Sequence, residues 1–285
     1  MIGGKGQPSA KFPLSSEKAA QETEPSPSYP FFEVKDFERS VGSGQNRRLL
    51  WTGVSLQLQE GDCCLVVGPS GVGKSTFLKT LAILEPRSKG TVSLRGVPAE
   101  KTKGGVPVWR RDVCYVAQEA PVFPGTPLDL WTETLKLKSR VKRDRESVPV
   151  SGAVSPSPAP SADIRIAQEI AASWGLREDA FSEPWQTLSG GERQRAALAI
   201  CVALGPSVLL LDEPTASLDL KAQLAVEKTV KERRLTCVWV THDKAQKERL
   251  RAQRALDLCN FSSHQTALLT AAAAAGESGV GASSV

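Results

Sequence analysis

The segment Gly68-Pro69-Ser70-Gly71-Val72-Gly73-Lys74-Ser75 restricts the fold more than any other in the chain. It follows directly on an apolar run, Cys63-Cys64-Leu65-Val66-Val67, and opens a segment that reads as a helix from Lys74 to about Leu84. The octapeptide satisfies G-x-x-x-x-G-K-[ST] in full, a pattern that carries meaning where a buried strand runs through a glycine-rich turn into a helix. Glycines let such a loop wrap with its N–H groups turned inward, which forms an anion nest. The helix dipole adds positive potential at the same point. A phosphate chain suits this loop: Lys74 can reach the β- and γ-phosphates, and the Ser75 hydroxyl can be offered to Mg²⁺. The candidate nucleotide-binding residues here are Gly68, Pro69, Ser70, Gly71, Val72, Gly73, Lys74, Ser75 and Thr76.

A second apolar run, Val208-Leu209-Leu210-Leu211, ends in two acids, Asp212 and Glu213. Ligands of open α/β sheets collect at the carboxyl ends of strands. Asp212 is placed to hold Mg²⁺ through its water shell, and Glu213, one residue on, to polarise an attacking water. Alone, the pair reads equally well as a strand entering a polar turn. Beside a phosphate loop it reads as a catalytic set.

Further strands are expected at Phe31–Val34, Val54–Leu58, Thr91–Leu94 and Cys237–Val240, with helices over 127–140, 163–175, Gly190 to about Leu204 and Lys221–Arg234. A last helix and a short strand end near Phe261. Strands alternating with helices imply a mainly parallel sheet with right-handed crossovers. Residues 1–28, rich in Ser, Pro, Glu and Lys, read as disordered. Residues 141–162 read as a flexible Pro/Ser-rich insertion, and 262–285, with five consecutive alanines, as a low-complexity tail.

Composition excludes several functions. The net charge of +5 is spread along the chain, with no basic face of the kind that nucleic acid requires outside the short run Lys136 to Arg145, which reads as a solvated linker. The six cysteines form no C-x-x-C pair and four lie in apolar runs, so they read as small hydrophobes of a reducing compartment. No apolar run approaches the roughly 20 residues that span a bilayer. If the protein acts at a membrane, another chain must supply the channel.

Between the two sites lies Leu188-Ser189-Gly190-Gly191-Glu192-Arg193-Gln194-Arg195. This resembles the complete signature sequence of ATP-binding cassette (ABC) ATPases. Gln118 in Val116-Ala117-Gln118-Glu119 looks like the Q-loop glutamine, Ser217-Leu218-Asp219 like the D-loop, and His242 in Val240-Thr241-His242-Asp243 like the switch histidine. The order and spacing fit that family from about Phe31 to Phe261.

The resemblance implies a P-loop NTPase core with a mainly parallel sheet, an antiparallel β-subdomain and an inserted helical subdomain over about 119–187, the whole cassette spanning 29–261. It implies ATP and Mg²⁺ as ligands, and two cassettes facing head to tail, most simply as a homodimer. Ser189, Gly190 and Gly191 would then meet the γ-phosphate held by the opposite cassette. A Ser-Gly-Gly turn opening a helix is itself a second anion site. Glu213 would act as base, Lys74 and His242 would stabilise phosphoryl charge, Gln118 would ligate Mg²⁺ with Ser75 and Asp212, and Asp219 would line the shared face. The implied function is the ATPase subunit of a transporter, peripheral to the cytoplasmic side of a membrane and driving a separate transmembrane permease. Its cargo would be a metal ion or small solute. Phe123–Thr126 and Val238–Lys244 look locally like single-cassette subunits of Fet-type iron exporters and of plant aluminium tolerance. A soluble ABC ATPase of cluster assembly or translation is the rival reading.

One position departs from the pattern. The family usually sets an aromatic residue before the first glycine-rich strand to stack on adenine, and Val41 falls there. Arg39 or Trp51 is expected to substitute.

Overall fold

The computed structural model describes residues 29–44, 47–120, 122–140, 163–250, 252 and 254–262. The expected disordered segment 1–28, the insertion 141–162 and the tail beyond Ser262 lie outside them.

Two sheets build the molecule. Five parallel strands run in the order β6-β7-β8-β3-β9: β6 (Val113–Val116), β7 (Val208–Asp212), β8 (Cys237–Val240), β3 (Cys63–Val67) and β9 (Arg254–Asp257). Four antiparallel strands run β2-β1-β4-β5: β2 (Arg48–Leu58), β1 (Phe32–Val41), β4 (Lys89–Leu94) and β5 (Val97–Pro98).

The apolar runs of the parallel sheet have a simple cause. Successive side chains of a strand point to opposite faces, so a strand covered on both sides must be apolar throughout. Cys63, Leu65, Leu209, Leu211, Cys237 and Trp239 enter one hydrophobic cluster. The alternate residues Cys64, Val66, Val208, Leu210, Val238 and Val240 enter the other. The first cluster continues into α4 (Arg165–Ser173), α5 (Gly190–Ala203) and α6 (Leu220–Glu232). The second continues into α1 (Lys74–Leu81) and the antiparallel sheet. The sheet is thus a wall shared by two cores, and its carboxyl edge lies on the seam between them.

Several boundaries differ from expectation. Strand β1 runs on from Val34 to Val41 through a register shift at Asp36, whose φ is 49°. Helix α1 ends at Leu81 rather than Leu84, because Ile83 takes a left-handed φ of 57°. The helix expected over 127–140 is α3 (Pro127–Leu135), opened by a Thr126–Asp129 capping box and interrupted at Lys136. Strand β6 and the preceding α2 (Val106–Asp112) were not expected at all. Their alternation is short, and Arg110 and Arg111 at the end of α2 hide it. The last helix is α7 (Lys244–Leu250).

The expectation that Trp51 replaces the adenine-stacking residue is corrected. Trp51 is fully buried. It stacks on Phe37 at 6.1 Å and meets Phe77 edge-on at 5.4 Å, so its ring faces belong to the core. Arg39 is turned to Glu85, with 3.4 Å between Nη2 and Oε2.

Candidate functional site

The candidate site forms where β3, β7 and β8 end. After Val67 the chain turns through the glycine-rich loop. Gly73 caps α1 at φ 98°, and a Cβ there would lie 3.1 Å from Trp51 Nε1 and 3.3 Å from Leu50 Cδ1. The left-handed backbone and the approach of Trp51 together favour glycine here. The buried aromatic nest of Trp51, Phe37 and Phe77 therefore braces the loop from behind.

Lys74 is the first residue of α1 and only 6% exposed. Its Nζ donates to the carbonyls of Gly68 and Pro69, both at 2.9 Å, so the ammonium rests on the loop's own backbone. Burial pulls its pKa below the ordinary lysine value, while the Glu213 and Asp212 carboxylates oppose that shift. These acids thus share an electrostatic field with the loop lysine.

Asp212 closes strand β7 and is 3% exposed. Its Oδ2 accepts a hydrogen bond of 2.9 Å from the Tyr115 hydroxyl, and Oδ1 has no hydrogen-bond partner among the described residues. Burial, and then the neighbouring Asp212 charge, push the Tyr115 phenol above its usual range, so it stays a donor. Sequence reasoning missed Tyr115 together with its strand. The Val-Cys-Tyr-Val run just ahead of Gln118 was the available signal.

Glu213 follows with a left-handed φ of 46°. Its N–H donates to the Val240 carbonyl at 3.1 Å, which ties it to the end of β8. Two residues past that end comes His242, whose Nε2 lies 3.1 Å from Glu213 Oε1. From the end of β6, Gln118 Nε2 donates to Glu213 Oε2 at 3.5 Å. The glutamate is bracketed from both neighbouring strands. The register pairing Asp212 with Val240 sets Glu213 beside the end of β8, and that pairing Val116 with Leu211 sets it beside the end of β6.

Behind His242, helix α7 is pinned by a buried polar network. Gln246 Nε2 donates to Thr215 Oγ1 at 2.9 Å and to Glu227 Oε1 at 3.0 Å, and Arg249 pairs with Glu227 through both Nε and Nη2. These contacts fix the helix that carries the histidine loop against α6.

The Ser189–Gly191 turn is assembled differently. Ser189 caps α5 by a capping box: its Oγ accepts from Glu192 N at 3.3 Å, and its own N–H donates to Glu192 Oε2 at 2.9 Å. A Cβ on Gly191 would lie 3.2 Å from the Ser217 carbonyl, so this turn abuts the segment leading to Asp219. Asp219 caps α6, accepting from Ala222 N at 2.9 Å, and lies 3.9 Å from Arg195. From α5, buried Gln194 donates to the Ala117 carbonyl at 3.3 Å, bracing the backbone beside Gln118. The structure therefore brings Lys74, Gln118, Asp212, Glu213 and His242 to one edge. The contacts of Ser189, Gly190 and Gly191 run to their own helix and to the Ser217 segment.

The sequence profile described as ABC transporter matches residues 51–216. The chain is 35% identical over 199 residues to the Escherichia coli ABC transporter ATP-binding protein YdcT, covering 68% of this chain and 52% of that protein. It is 33% identical to the spermidine/putrescine import ATP-binding protein PotA of Thermobifida fusca, over 79% of this chain and 54% of the relative. It is 32% identical to the arginine transport ATP-binding protein ArtM of Bacillus subtilis, over 67% and 73% respectively. The chain thus spans about half the length of the first two relatives. Among solved structures, the ATP-binding cassette MJ0796, in a dimeric post-hydrolysis state with ADP and Pi, superposes with a TM-score of 0.62 at 26% identity, covering 79% of this chain and 93% of that one.

Proposed function

Because the chain belongs to the ABC transporter family, we propose that it binds and hydrolyses ATP at the face between two cassettes and so drives a separate membrane-spanning subunit. The observation that carries this reading is the bracketing of Glu213 by His242 and Gln118, beside a complete phosphate loop. The names of the relatives support the transport reading, and the dimeric state of MJ0796 supports the two-cassette arrangement. In this reading the cassette spans 29–261, with its helical subdomain over about 119–187. Among the described residues no helix is long and apolar enough to cross a membrane. The relatives' names, which make them the ATP-binding proteins of transport systems, support assigning the channel to another chain. The cassette would sit on the cytoplasmic side of that membrane.

The loop amides and Lys74 hold the phosphates, and Lys74 leaves the Gly68 and Pro69 carbonyls to do so. Glu213 orients the attacking water and takes its proton at the carboxylate. His242 holds Glu213 on one side and faces the γ-phosphate on the other. Catalysis rests on positioning and charge stabilisation, with no covalent intermediate. Mg²⁺ fits the residues present: Asp212 Oδ1 is a buried carboxylate oxygen without a donor among the described residues, and a cation satisfies such an atom. Asp212, Ser75 and Gln118 would hold the ion, which supplies charge neutralisation at the β- and γ-phosphates.

The test is Glu213→Gln. Phosphate release should fall by about a hundredfold or more while nucleotide binding persists and ATP-bound dimers accumulate. Unchanged turnover would remove Glu213 from its role.

A further inference from the structure

The second anion turn carries a chemical contradiction. Its capping box places the Glu192 carboxylate against the Ser189 N–H, at the end of the helix where a triphosphate would approach. Two anions at one helix end repel, and that repulsion grows as the opposing face excludes water.

The structure holds a counter-charge at this point. Arg177, which lies before the turn in sequence, donates from Nε to Glu192 Oε1 at 2.8 Å. Its remaining nitrogens pair with both Glu183 oxygens, and Nη1 also lies 2.8 Å from Asp179. Glu183 thus fixes the plane of the guanidinium, and only Nε is directed to the turn. The two oxygens of Glu192 are divided, one to Arg177 and one to Ser189. The capping contacts use the N–H groups of Ser189 and Glu192. Those of Gly190 and Gly191, in the first turn of α5, have no acceptor within the helix. The Ser189 hydroxyl accepts from Glu192 N and donates to the Glu192 carboxylate, so it is held within the capping box.

We infer that Arg177 is a positioning residue for the signature turn: it neutralises and orients Glu192, so that the Gly190 and Gly191 N–H groups present a net attractive site to the γ-phosphate of the facing cassette. This rests on the reading that the turn meets nucleotide held by a second cassette. Arg177 touches no nucleotide and acts through Glu192. The role separates charge from bracing. A brace is lost whenever Arg177 is lost, whereas a neutraliser becomes dispensable once Glu192 carries no charge. Glutamine at 192 retains an oxygen that can accept from Ser189 N.

The experiment uses the full chain carrying Glu213→Gln, titrated with ATP and Mg²⁺ and followed by sedimentation velocity for dimer. A fluorescent ATP analogue at subunit concentrations below dimerisation reports phosphate-loop binding separately. Arg177→Gln should raise the ATP concentration for half-maximal dimer by about tenfold, with monomer binding unchanged. Adding Glu192→Gln should restore dimerisation to within about threefold of the parent, and Glu192→Gln alone should stay as close. Arg177→Lys, which keeps charge but loses the fork, should fall between. An unshifted Arg177→Gln overturns the inference, and so does a double variant as weak as the single one. A parent that binds the analogue and never dimerises overturns the two-cassette premise instead.

Discussion

The two halves of the candidate nucleotide site are held by different physics. The phosphate-loop half is built from buried strands: Lys74 and Asp212 are almost fully enclosed, and Trp51 braces the loop from a closed aromatic nest. The signature half lies at a helix end and is held by a capping box and by Arg177, which is 38% exposed. The first half is fixed by packing, which a monomer completes alone. The second is fixed by charge pairs that solvent and salt reach readily. Such a division suits a face that must open and close: one half keeps its ligand while the other lets go.

The sharpest way to break this contrast is Lys74→Ala. Nucleotide affinity of the monomer should fall by about a hundredfold, read by the fluorescent analogue, because the loop loses its charge-assisted contact. Retained affinity would mean that the loop is not the primary binding half. Ser189→Ala should leave monomer affinity alone and lower steady-state turnover by about tenfold, with roughly 1 kcal/mol of stability lost from the cap. If it weakened monomer binding instead, the two halves would not be separable.

Within the buried half, Tyr115→Phe should cost about 1 kcal/mol in urea unfolding, since Asp212 Oδ2 loses its donor. Saturating Mg-ATP should recover part of that loss through ligand binding. No loss of stability would show that Tyr115 is incidental.

The smallest effect concerns pH. The Arg177 side chain, and then the Ser189 N–H, hold the Glu192 carboxyl down at about 2. A carboxyl depressed in the folded state stabilises above its unfolded value and loses that contribution as pH falls through the folded one. The window runs from the ordinary value of 4.5 down to about 2. Arg177→Gln should flatten the fall in stability across that window only slightly, because the pair is partly exposed. An identical slope in both proteins would remove the pair from the acid response.

Much of this was legible beforehand, and for a physical reason. Strands buried on both faces read as unbroken apolar runs, so β3, β7 and β8 were found, and Lys74, Asp212 and Glu213 with the first two, whereas His242 was picked out by the family resemblance. Strand β6 was not, since it is four residues long and follows the two arginines of α2. Tyr115 was lost with it. Trp51 was misread because an aromatic ring near a phosphate loop gives no sign in sequence of which way it faces. Only the stacking of Phe37 and Phe77 decides that. Arg177 gave no signal, because its partners Glu183 and Glu192 lie six and fifteen positions away, on no common element with it.

The left-handed backbone of Glu213 has a consequence for how such a chain changes over generations. A side chain at φ 46° costs about 1 kcal/mol relative to glycine, which adopts that conformation freely. Drift that rewards stability alone would therefore push this position toward glycine and erase the carboxylate. Copies relieved of hydrolysis, such as one member of a duplicated pair, should lose Glu213 early and become more heat-resistant as they do.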